Sequence, residues 1–403
     1  MNGFLPPPGP ARVLALAQLA NSLGDGAYLV CSALYFTRIV GLSATQIGFG
    51  LTLGWAVGSV AGIPLGHLAD RRGPKGTAVL LAVATAVAVG SFLVVRSFVP
   101  FVVAACLYAS CQSGLSAARQ ALLAALVDKA ERTAVRAYLQ STVNAGLAIG
   151  AGVGGLALQV DTRAAYLVVF ALDVLGFLAA AAVLRGLPPV PPVPVTTTGG
   201  PVFAVLRDRP YALVTCLNAV MLLYMPLLSL VVPLWIVQRT EAPRWMVAAL
   251  LVLNTVGVVL FQVRVARRVT GLDSAARLVR RAGFAMLASC AVFALSAGGS
   301  AWTAVLALLV AAVLQVLGEM MLASGAWEIG FDLAPADKQG QYQGFFGTGV
   351  PVARMAGPLL LTALVIGWGT AGWLVLGGVF LVAGLAMGPA VRRAARRRSA
   401  VGV

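Results

Sequence analysis

Three carboxyl groups lie inside long apolar segments of the 403-residue sequence. Asp25 occurs in NSLGDGAYL, Asp173 in ALDVLGF and Glu319 in VLGEMML. An ionisable side chain in an apolar environment is costly to keep charged, so each is a candidate for binding and releasing a proton. For Asp25 the sequence leaves a second interpretation open, which is a fixed ion pair with Arg119 or Arg354.

The segments around these residues are long and apolar enough to be membrane-spanning helices. The chain is 60% hydrophobic and only 10% charged, whereas about a quarter of the residues of a soluble domain are charged. A helix needs about 20 apolar residues to cross a bilayer. We therefore predict an all-α integral membrane protein in the lipid bilayer, with twelve spans at residues 12–38, 44–68, 76–96, 99–126, 134–159, 163–185, 210–237, 244–266, 278–298, 301–327, 342–366 and 369–389.

The net charge of +16 comes from short clusters of Lys and Arg between the predicted spans. Such clusters orient a membrane protein with its cations in the cytoplasm, so we expect no nucleic-acid partner. With the N-terminus inside, the inner loops and the tail RRAARRR hold most cations, and the outer loops hold Arg38, Arg96, Arg163, Arg239 and Arg244. This asymmetry predicts two cytoplasmic termini. Ala, Gly, Val and Arg are abundant, which is typical of proteins from GC-rich bacterial genomes. The sequence therefore favours a multi-pass protein of a bacterial inner membrane.

One long Pro- and Gly-rich loop divides the predicted spans into six and six. We predict an N-terminal six-helix bundle at 1–186, a cytoplasmic linker at 187–209, and a C-terminal bundle with a basic tail at 210–403. A shift of 196 residues lays GHLADRRG over QVRVARRV, which indicates a weak internal repeat. Two related six-helix halves are typical of a secondary transporter.

The loop after the second span, GHLADRRGPKG, resembles the loop 2–3 signature of the major facilitator superfamily. The matching residues are Gly66, Asp70, Arg71, Gly73 and Lys75. The resemblance implies two pseudo-symmetric six-helix bundles and a conformational latch, in which Asp70 faces the N-terminus of the eleventh helix. At the inner end of span four, Asp128 is a candidate partner for the cations of this loop. The plainer interpretation is a basic inner loop with a helix-stopping glycine.

Span five reads NAGLAIGAGVGG and resembles the span-five motif of the superfamily's drug:proton antiporters. The matching residues are Gly146, Gly150, Gly154 and Gly155. Ala151 stands where that motif has proline, and Ser110 stands where the antiporters carry an arginine early in span four. The alternative interpretation is close helix packing through glycines.

In this superfamily, polar residues of spans one, four, seven and ten line a central cavity. The resemblance therefore implies that the substrate contacts polar side chains of these spans. We add Asn144 and Asn254 from spans five and eight, and Arg354 of span eleven, whose charge could attract an anionic substrate or pair with Glu319. These candidates are Asn21, Gln112, Arg119, Asn144, Asn218, Tyr224, Asn254, Gln315 and Arg354.

The resemblance implies a monomeric exporter of small lipophilic compounds, such as drugs or secondary metabolites, that exchanges them for protons. We expect the proton gradient to be its energy source, with no cofactor and no metal. The alternatives are an importer or uniporter of a small metabolite and, less favoured, a membrane-embedded lipid-handling protein. No catalytic set and no phosphate-binding Gly-Lys-Ser/Thr loop occurs in the sequence, so we do not expect an enzyme.

Overall fold

The computed structural model describes residues 9–191 and 203–401, and within these ranges the chain is helical, without strands. Its α-helices are α1 (Pro10–Leu34), α2 (Ala44–Arg72), α3 (Pro74–Ser91), α4 (Phe98–Leu126), α5 (Arg132–Val160), α6 (Arg163–Arg185), α7 (Arg209–Met221), α8 (Val232–Arg239), α9 (Met246–Ala266), α10 (Leu272–Leu295), α11 (Ala301–Asp332), α12 (Gln339–Gly347), α13 (Gly349–Leu361) and α14 (Thr370–Val401). Short 3₁₀ and π segments join α7 to α8 and continue α1 and α13.

Eleven helical stretches in the described ranges are long and apolar enough to cross a membrane, and they coincide with eleven of the twelve predicted spans. The exception is α1, although its 25 residues are enough to cross a bilayer. Gln18, Asn21, Ser22 and Asp25 lower its hydropathy. The prediction of an all-helical integral membrane protein is confirmed, and the count of twelve remains a prediction.

Several helices extend beyond the predicted spans. The last helix, α14, continues to Val401, well past the predicted end at 389, because its basic tail consists of Ala and Arg, which are strong helix formers. Similarly, α11 continues to Asp332 and α10 begins at Leu272. These extensions place charged turns at the ends of apolar helices.

The helices form two compact units. The first extends to Ala204 and includes Ala334–Thr348, and the second comprises Val205–Leu333 and the chain from Gly349 onward. The segment Ala334–Thr348 was predicted within the C-terminal bundle, but α12 packs against α2 and α4. Of the predicted linker 187–209, residues 192–202 lie outside the described part of the chain.

The same helix pairings recur in both units. In the first unit α1 packs on α5 and α6, α2 packs on α4, and α3 packs on α4 and α6. In the second unit α7 packs on α13 and α14, α9 packs on α11, and α10 packs on α11 and α14. Spans are counted here as predicted, so that α7 begins span seven and α13 ends span eleven. Each pairing of the first unit thus has a counterpart six spans later in the second unit.

An aromatic cluster anchors α1 in the first unit. The Tyr28 ring lies 5.7 Å from Tyr108 and 5.4 Å from Phe170, and Phe92 stacks on the same group at 6.2 Å from Tyr28. These rings are almost fully buried. Packing of this kind sets the height of α1 relative to α4 and α6, and so it positions Asp25, one turn away from Tyr28.

Candidate functional site

Asp25 is held from one side by a polar chain that runs from α1 to α4. Asn21 Nδ2 donates to Asp25 Oδ2 at 2.9 Å, and Arg119 Nη2 donates to Asn21 Oδ1 at 2.9 Å. Asn21 and Asp25 share a helix face because they are four residues apart. Asn21 and Arg119 are both buried. The guanidinium and the carboxylate are therefore joined through one amide.

The other oxygen of the Asp25 carboxylate has weaker partners. The Tyr108 hydroxyl and Gln112 Nε2 each lie 3.4 Å from Asp25 Oδ1, and Gln112 Nε2 donates to the Tyr108 hydroxyl at 3.1 Å. Hydrogen bonds as long as 3.4 Å contribute little. Asp25 itself is only half-buried. Asp25 Oδ2 thus accepts a shorter hydrogen bond from Asn21 than Oδ1 accepts from Tyr108 or Gln112.

Asp173 lies behind Asp25, on α6, in a fully buried position. Neither of its carboxyl oxygens has a hydrogen-bond partner among the described residues. Gly24 makes room for it, since a Cβ at Gly24 would lie 2.6 Å from Asp173 Oδ1 and would overlap the Asp173 backbone. Asp25 follows Gly24 on α1, so its backbone lies one residue from this contact. The two carboxyl groups therefore form one acidic region on α1 and α6.

The second unit holds its carboxyl group with neutral donors. Asn254 Nδ2 donates to Glu319 Oε2 at 2.8 Å, and the Tyr224 hydroxyl also bonds this carboxylate. All three side chains are half-buried. One turn earlier on α11, Gln315 is buried, and its side-chain oxygen, like that of Asn218 on α7, has no partner in the described part of the chain. These five residues were all predicted from the sequence.

Two further predicted cavity residues lie on α5 and α13. Asn144 on α5 accepts a hydrogen bond from Gln140 Nε2 at 3.1 Å and is half-buried. Arg354 is exposed on α13. A residue that the sequence did not single out, Tyr108, belongs to the Asp25 network. Its signal was its position four residues before Gln112, which places the two polar groups on one face of α4.

Asp70 caps the N-terminus of α12. Gly340 N donates to Asp70 Oδ1 at 2.7 Å and Gln341 N donates to Oδ2 at 2.9 Å. A carboxylate at this position satisfies two of the unpaired N–H groups at the start of a helix and opposes its dipole. The approach is possible because Gly66 faces Gly340, and a Cβ on either would overlap the other's carbonyl oxygen. The first turn of α12, just before the eleventh predicted span, thus rests on α2.

The remaining residues of the loop signature have separate surroundings. Gly73 has φ +90° between α2 and α3, a backbone region that favours glycine. The Lys75 ammonium group donates to the Leu187 carbonyl oxygen. Arg71 and Asp128 are exposed, and within the described part of the chain no ion pair joins Asp128 to Arg71 or Lys75. Lys75 is thus directed to the carbonyl group just after α6, and pairing of Asp128 with the loop cations stays a prediction.

Three of the four span-five glycines pack against α1. A Cβ at Gly146 would lie 2.7 Å from the Ser22 Cβ, one at Gly150 would overlap the Leu23 carbonyl oxygen, and one at Gly154 would lie 2.9 Å from the Ala27 oxygen. Gly155 faces open space. The close crossing of α1 and α5 lies beside the helix turn that carries Asp25, so these glycines help to position it.

The family profile described as Major Facilitator Superfamily matches residues 14–358. The chain belongs to this superfamily. Its members are transporters, which agrees with the expectation that the chain is not an enzyme. No curated protein matches the chain by sequence.

Solved structures of known transporters share the fold of this transporter. A bacterial homologue of the iron transporter ferroportin, in its outward-facing state, superposes with a TM-score of 0.77 at 16% identity, covering 96% of this chain and 99% of the other. The human organic anion transporter MFSD10 gives 0.68 at 16% identity, covering 95% and 100%. The Escherichia coli fucose:proton symporter FucP gives 0.72 at 12% identity, covering 94% and 98%. At these identities the likeness concerns the fold alone.

Proposed function

We propose that this transporter exports small lipophilic compounds, drugs or secondary metabolites, by alternating access and in exchange for protons. The observation that carries the proposal is the half-buried carboxyl group of Asp25, which is joined to the buried Arg119 through Asn21. A carboxyl group inside a transporter bundle is a candidate proton carrier. Here the carboxyl group bonds Asn21, the residue of α1 that also accepts the hydrogen bond from Arg119 on α4.

The proposed coupling follows from the charges in this chain of contacts. When Asp25 is ionised, it attracts the Asn21 amide that Arg119 also holds, and α1 is bound to α4. When Asp25 takes up a proton, the charge-assisted part of this hydrogen bond is lost and the connection weakens. Protonation would therefore favour a different arrangement of the two helices. Asp173 and Glu319 remain secondary proton candidates.

The chemistry of the proposed cavity residues supports a lipophilic cargo. In the first unit these residues are Asn21, Gln112, Arg119 and Asn144, and in the second they are similarly few and, apart from one arginine, neutral. The second set is Asn218, Tyr224, Asn254, Gln315 and Arg354. A site with few polar groups suits compounds that make few hydrogen bonds.

The proposal includes twelve spans with both termini in the cytoplasm of a bacterial inner membrane, arranged as two six-helix bundles in a monomer. Trp245, Trp302 and Trp368 support the placement of three helix ends at a membrane interface. They precede or begin α9, α11 and α14 at the predicted outer ends, and they are 63%, 79% and 64% exposed. Exposed tryptophans are enriched at membrane interfaces. The helix α1 would be the twelfth span.

We further propose that Asp70 and Gly66 act as a conformational latch. Their contact with α12 is supported by two hydrogen bonds and a close glycine crossing. Through Thr348, α12 continues directly into α13, which belongs to the second unit. A change of state that moves α13 would therefore strain or break the cap on α12.

A second candidate function is import, or uniport, of a small metabolite. Ala151 in place of the antiporter proline and Ser110 in place of the span-four arginine favour it. The structurally similar FucP is named as a fucose:proton symporter, so proton-coupled import occurs on this fold.

Proton movement across liposomes distinguishes these functions. Purified transporter is reconstituted in liposomes that contain a pH-sensitive dye, and lipophilic cations and neutral drugs are added under an imposed proton gradient. Export by exchange predicts proton movement on addition of substrate, and its loss in Asp25→Asn. Glu319→Gln serves as the control, because Asn254 and Tyr224 can bond the amide oxygen as they bond the carboxylate.

Each other outcome assigns the function differently. Substrate flux without proton movement supports the uniporter. Proton movement in the same direction as the substrate supports the importer. Full coupling in Asp25→Asn, with loss in Glu319→Gln, would move the proton site to the second unit.

A further inference from the structure

Six arginines at one end of the second unit have no protein partner. Arg277, Arg280 and Arg281 lie in the first turns of α10, and Arg392, Arg393 and Arg396 lie in the last turns of α14. All six are exposed, and within the described part of the chain none makes a hydrogen bond or an ion pair. We call this set the arginine face.

The two helix ends that carry the arginine face lie side by side. Helices α10 and α14 cross at a pair of glycines, since the Cβ of Gly283 would lie 3.3 Å from the Gly384 Cα and that of Gly384 would lie 3.2 Å from the Val279 oxygen. From this crossing, α10 reaches its arginines within one to two turns and α14 reaches its own within two to three turns. Both sets lie on the same side of the crossing because the helices run antiparallel.

The end of α14 is fixed to the second unit by other arginines. Arg398 Nη1 donates to the Asp332 carbonyl oxygen at 2.9 Å, and Arg397 Nη1 lies 3.8 Å from Asp208 Oδ1. These contacts occupy the side of α14 that faces α7 and α11. The arginine face is therefore presented outward from a helix end that is held in place.

An exposed apolar surface begins directly beside the arginine face. Phe284 on α10 is 52% exposed and follows Arg277 and Arg281 on the same helix face. On α14, Leu385 is 44% exposed and precedes Arg392 and Arg396 on one face. Each helix thus presents arginine and then exposed hydrocarbon along one line, which matches the headgroup and acyl chain of a phospholipid.

The charge of the arginine face calls for an anion. Its six arginines are accompanied by one acid on α10, Asp273, and by none on α14. At the basic end of the first unit, two cations have protein partners, since Lys75 donates to Leu187 and Arg132 donates to the Val127 carbonyl oxygen at 3.0 Å. Unpaired guanidinium groups at a membrane surface bind phosphate oxygens in bidentate fashion.

We infer that the arginine face binds the headgroup of an anionic phospholipid, whose acyl chains lie against Phe284 and Leu385. The inference is independent of the direction of transport and of proton coupling. Phosphatidylglycerol or cardiolipin has the required chemistry. Phosphatidylcholine lacks it because its headgroup carries no net charge.

Lipid titration of the full-length protein in neutral detergent, followed by native mass spectrometry, tests the inference. The wild type should bind phosphatidylglycerol more tightly than phosphatidylcholine with the same acyl chains. The double variant Arg281→Gln and Arg392→Gln should weaken phosphatidylglycerol binding by roughly 30-fold, if each arginine near the surface contributes about fivefold. The matched control removes two other exposed cations, as Arg185→Gln and Arg207→Gln, and should retain wild-type binding.

Salt and a lipid-free anion complete the test. Binding of phosphatidylglycerol at the arginine face should weaken as salt is raised, because the charges lie at the surface. Equal binding of both lipids, or equal losses in the test and control variants, would overturn the inference. It would also fail if inorganic phosphate alone competed fully, since the apolar surface would then have no part. Transport by the test variant shows that it is folded.

Discussion

The two units repeat one set of helix pairings but hold their central carboxyl groups in different ways. In the first, Asp25 is joined through Asn21 to the buried guanidinium of Arg119, and a second carboxyl group, Asp173, lies behind it without a partner in the described ranges. In the second, Glu319 is bonded by the neutral groups of Asn254 and Tyr224. The scaffold is duplicated, and the charge chemistry is specific to each copy.

This difference has a physical consequence. Neutral donors hold a carboxyl group in either charge state, because its oxygen still accepts a hydrogen bond after protonation. A guanidinium acting through an amide responds more strongly, because part of its attraction depends on the negative charge. For this reason we place the proposed proton coupling in the first unit and a substrate-binding role in the second.

The largest effect is expected at the crossing of α1 and α5. Gly150→Ala should destabilise the protein by about 3 kcal/mol, because the new Cβ meets the Leu23 carbonyl oxygen and the backbone has little room to move. Gly283→Ala, at the looser glycine crossing of the second unit, should lose roughly 1 kcal/mol. Gly155→Ala faces open space and should gain about 0.5–1 kcal/mol from helix propensity.

Chemical unfolding in detergent micelles measures these three variants. If Gly283→Ala lost more stability than Gly150→Ala, the claim that the α1–α5 crossing is tighter than the α10–α14 crossing would be wrong.

The two asparagines that hold the carboxyl groups should differ in their importance. Asn21→Leu should lower the free energy of unfolding by about 3 kcal/mol. The change removes the side-chain oxygen that accepts the hydrogen bond of the buried Arg119, and it removes the donor to Asp25. Asn254→Leu should lower it by about 1 kcal/mol, since Glu319 is half-buried and keeps Tyr224. Unfolding measured on both variants under one condition decides the point, and equal losses would contradict the proposed difference between the units.

A smaller effect on stability, with a distinct effect on transport, is expected at Asp70. Asp70→Asn should lower stability by about 1 kcal/mol, because an amide retains one acceptor and loses the charge that opposes the α12 dipole. In the second unit, Gln262 occupies the position 196 residues after Gly66 and donates to the Met320 oxygen at 3.3 Å and to Ser324 Oγ at 3.0 Å.

Gln262→Leu should lower stability by a similar amount, about 1 kcal/mol, through the loss of these hydrogen bonds. Transport rates in liposomes then separate the two variants. Asp70→Asn should slow transport well beyond what its stability explains, whereas Gln262→Leu should leave it close to the wild type. Wild-type transport by Asp70→Asn would remove the latch from the proposal.

The smallest effect concerns the predicted outer ends of the two units. The Tyr166 hydroxyl, which donates to Asp161 Oδ1 at 2.6 Å, and the Arg38 guanidinium lower the pKa of the Asp161 carboxyl group. Because the folded-state pKa is lowered, this contribution is present above the ordinary aspartate pKa of about 3.9. It is lost as the pH falls through the folded-state value.

Thermal unfolding between pH 6 and strongly acidic conditions reveals this contribution. Tyr166→Phe should show a shallower loss of Tm below about pH 4 than the wild type, because the pKa of Asp161 is then closer to its ordinary value. In the second unit, Arg239 donates to the Ile366 carbonyl oxygen at 3.1 Å, a group that does not titrate. Arg239→Gln should therefore leave the loss of Tm below about pH 4 unchanged. The same change in both variants would contradict the claim that Asp161 causes this contribution.

Much of the fold followed from the hydropathy pattern. Eleven of the predicted spans correspond to observed helical stretches because about 20 consecutive apolar residues have few alternatives to a membrane helix. The exception, α1, carries Asn21 and Asp25, the same polar residues that form the candidate site. Its departure from the pattern is thus a consequence of its chemistry.

The helix ends were harder to predict. Hydropathy falls at the basic turns of α14 and at the acidic turns of α11, so the predicted spans stop there, while the backbone remains helical to Val401 and Asp332. The hydropathy pattern reports where the lipid would end, and the hydrogen-bonded helix continues for as long as its residues favour it.

The sequence alone determined the membrane class, the superfamily resemblance and the individual residues Asp25, Asp70 and Glu319. Each depends on local composition or on short spacing, which the order of residues contains directly. Only the tertiary structure decided that Asn21 stands between Arg119 and Asp25, and that Asp173 is buried against Gly24. It also placed α12 against α2. These contacts join residues far apart in the chain, and they arise from the packing of whole helices, which no local pattern records.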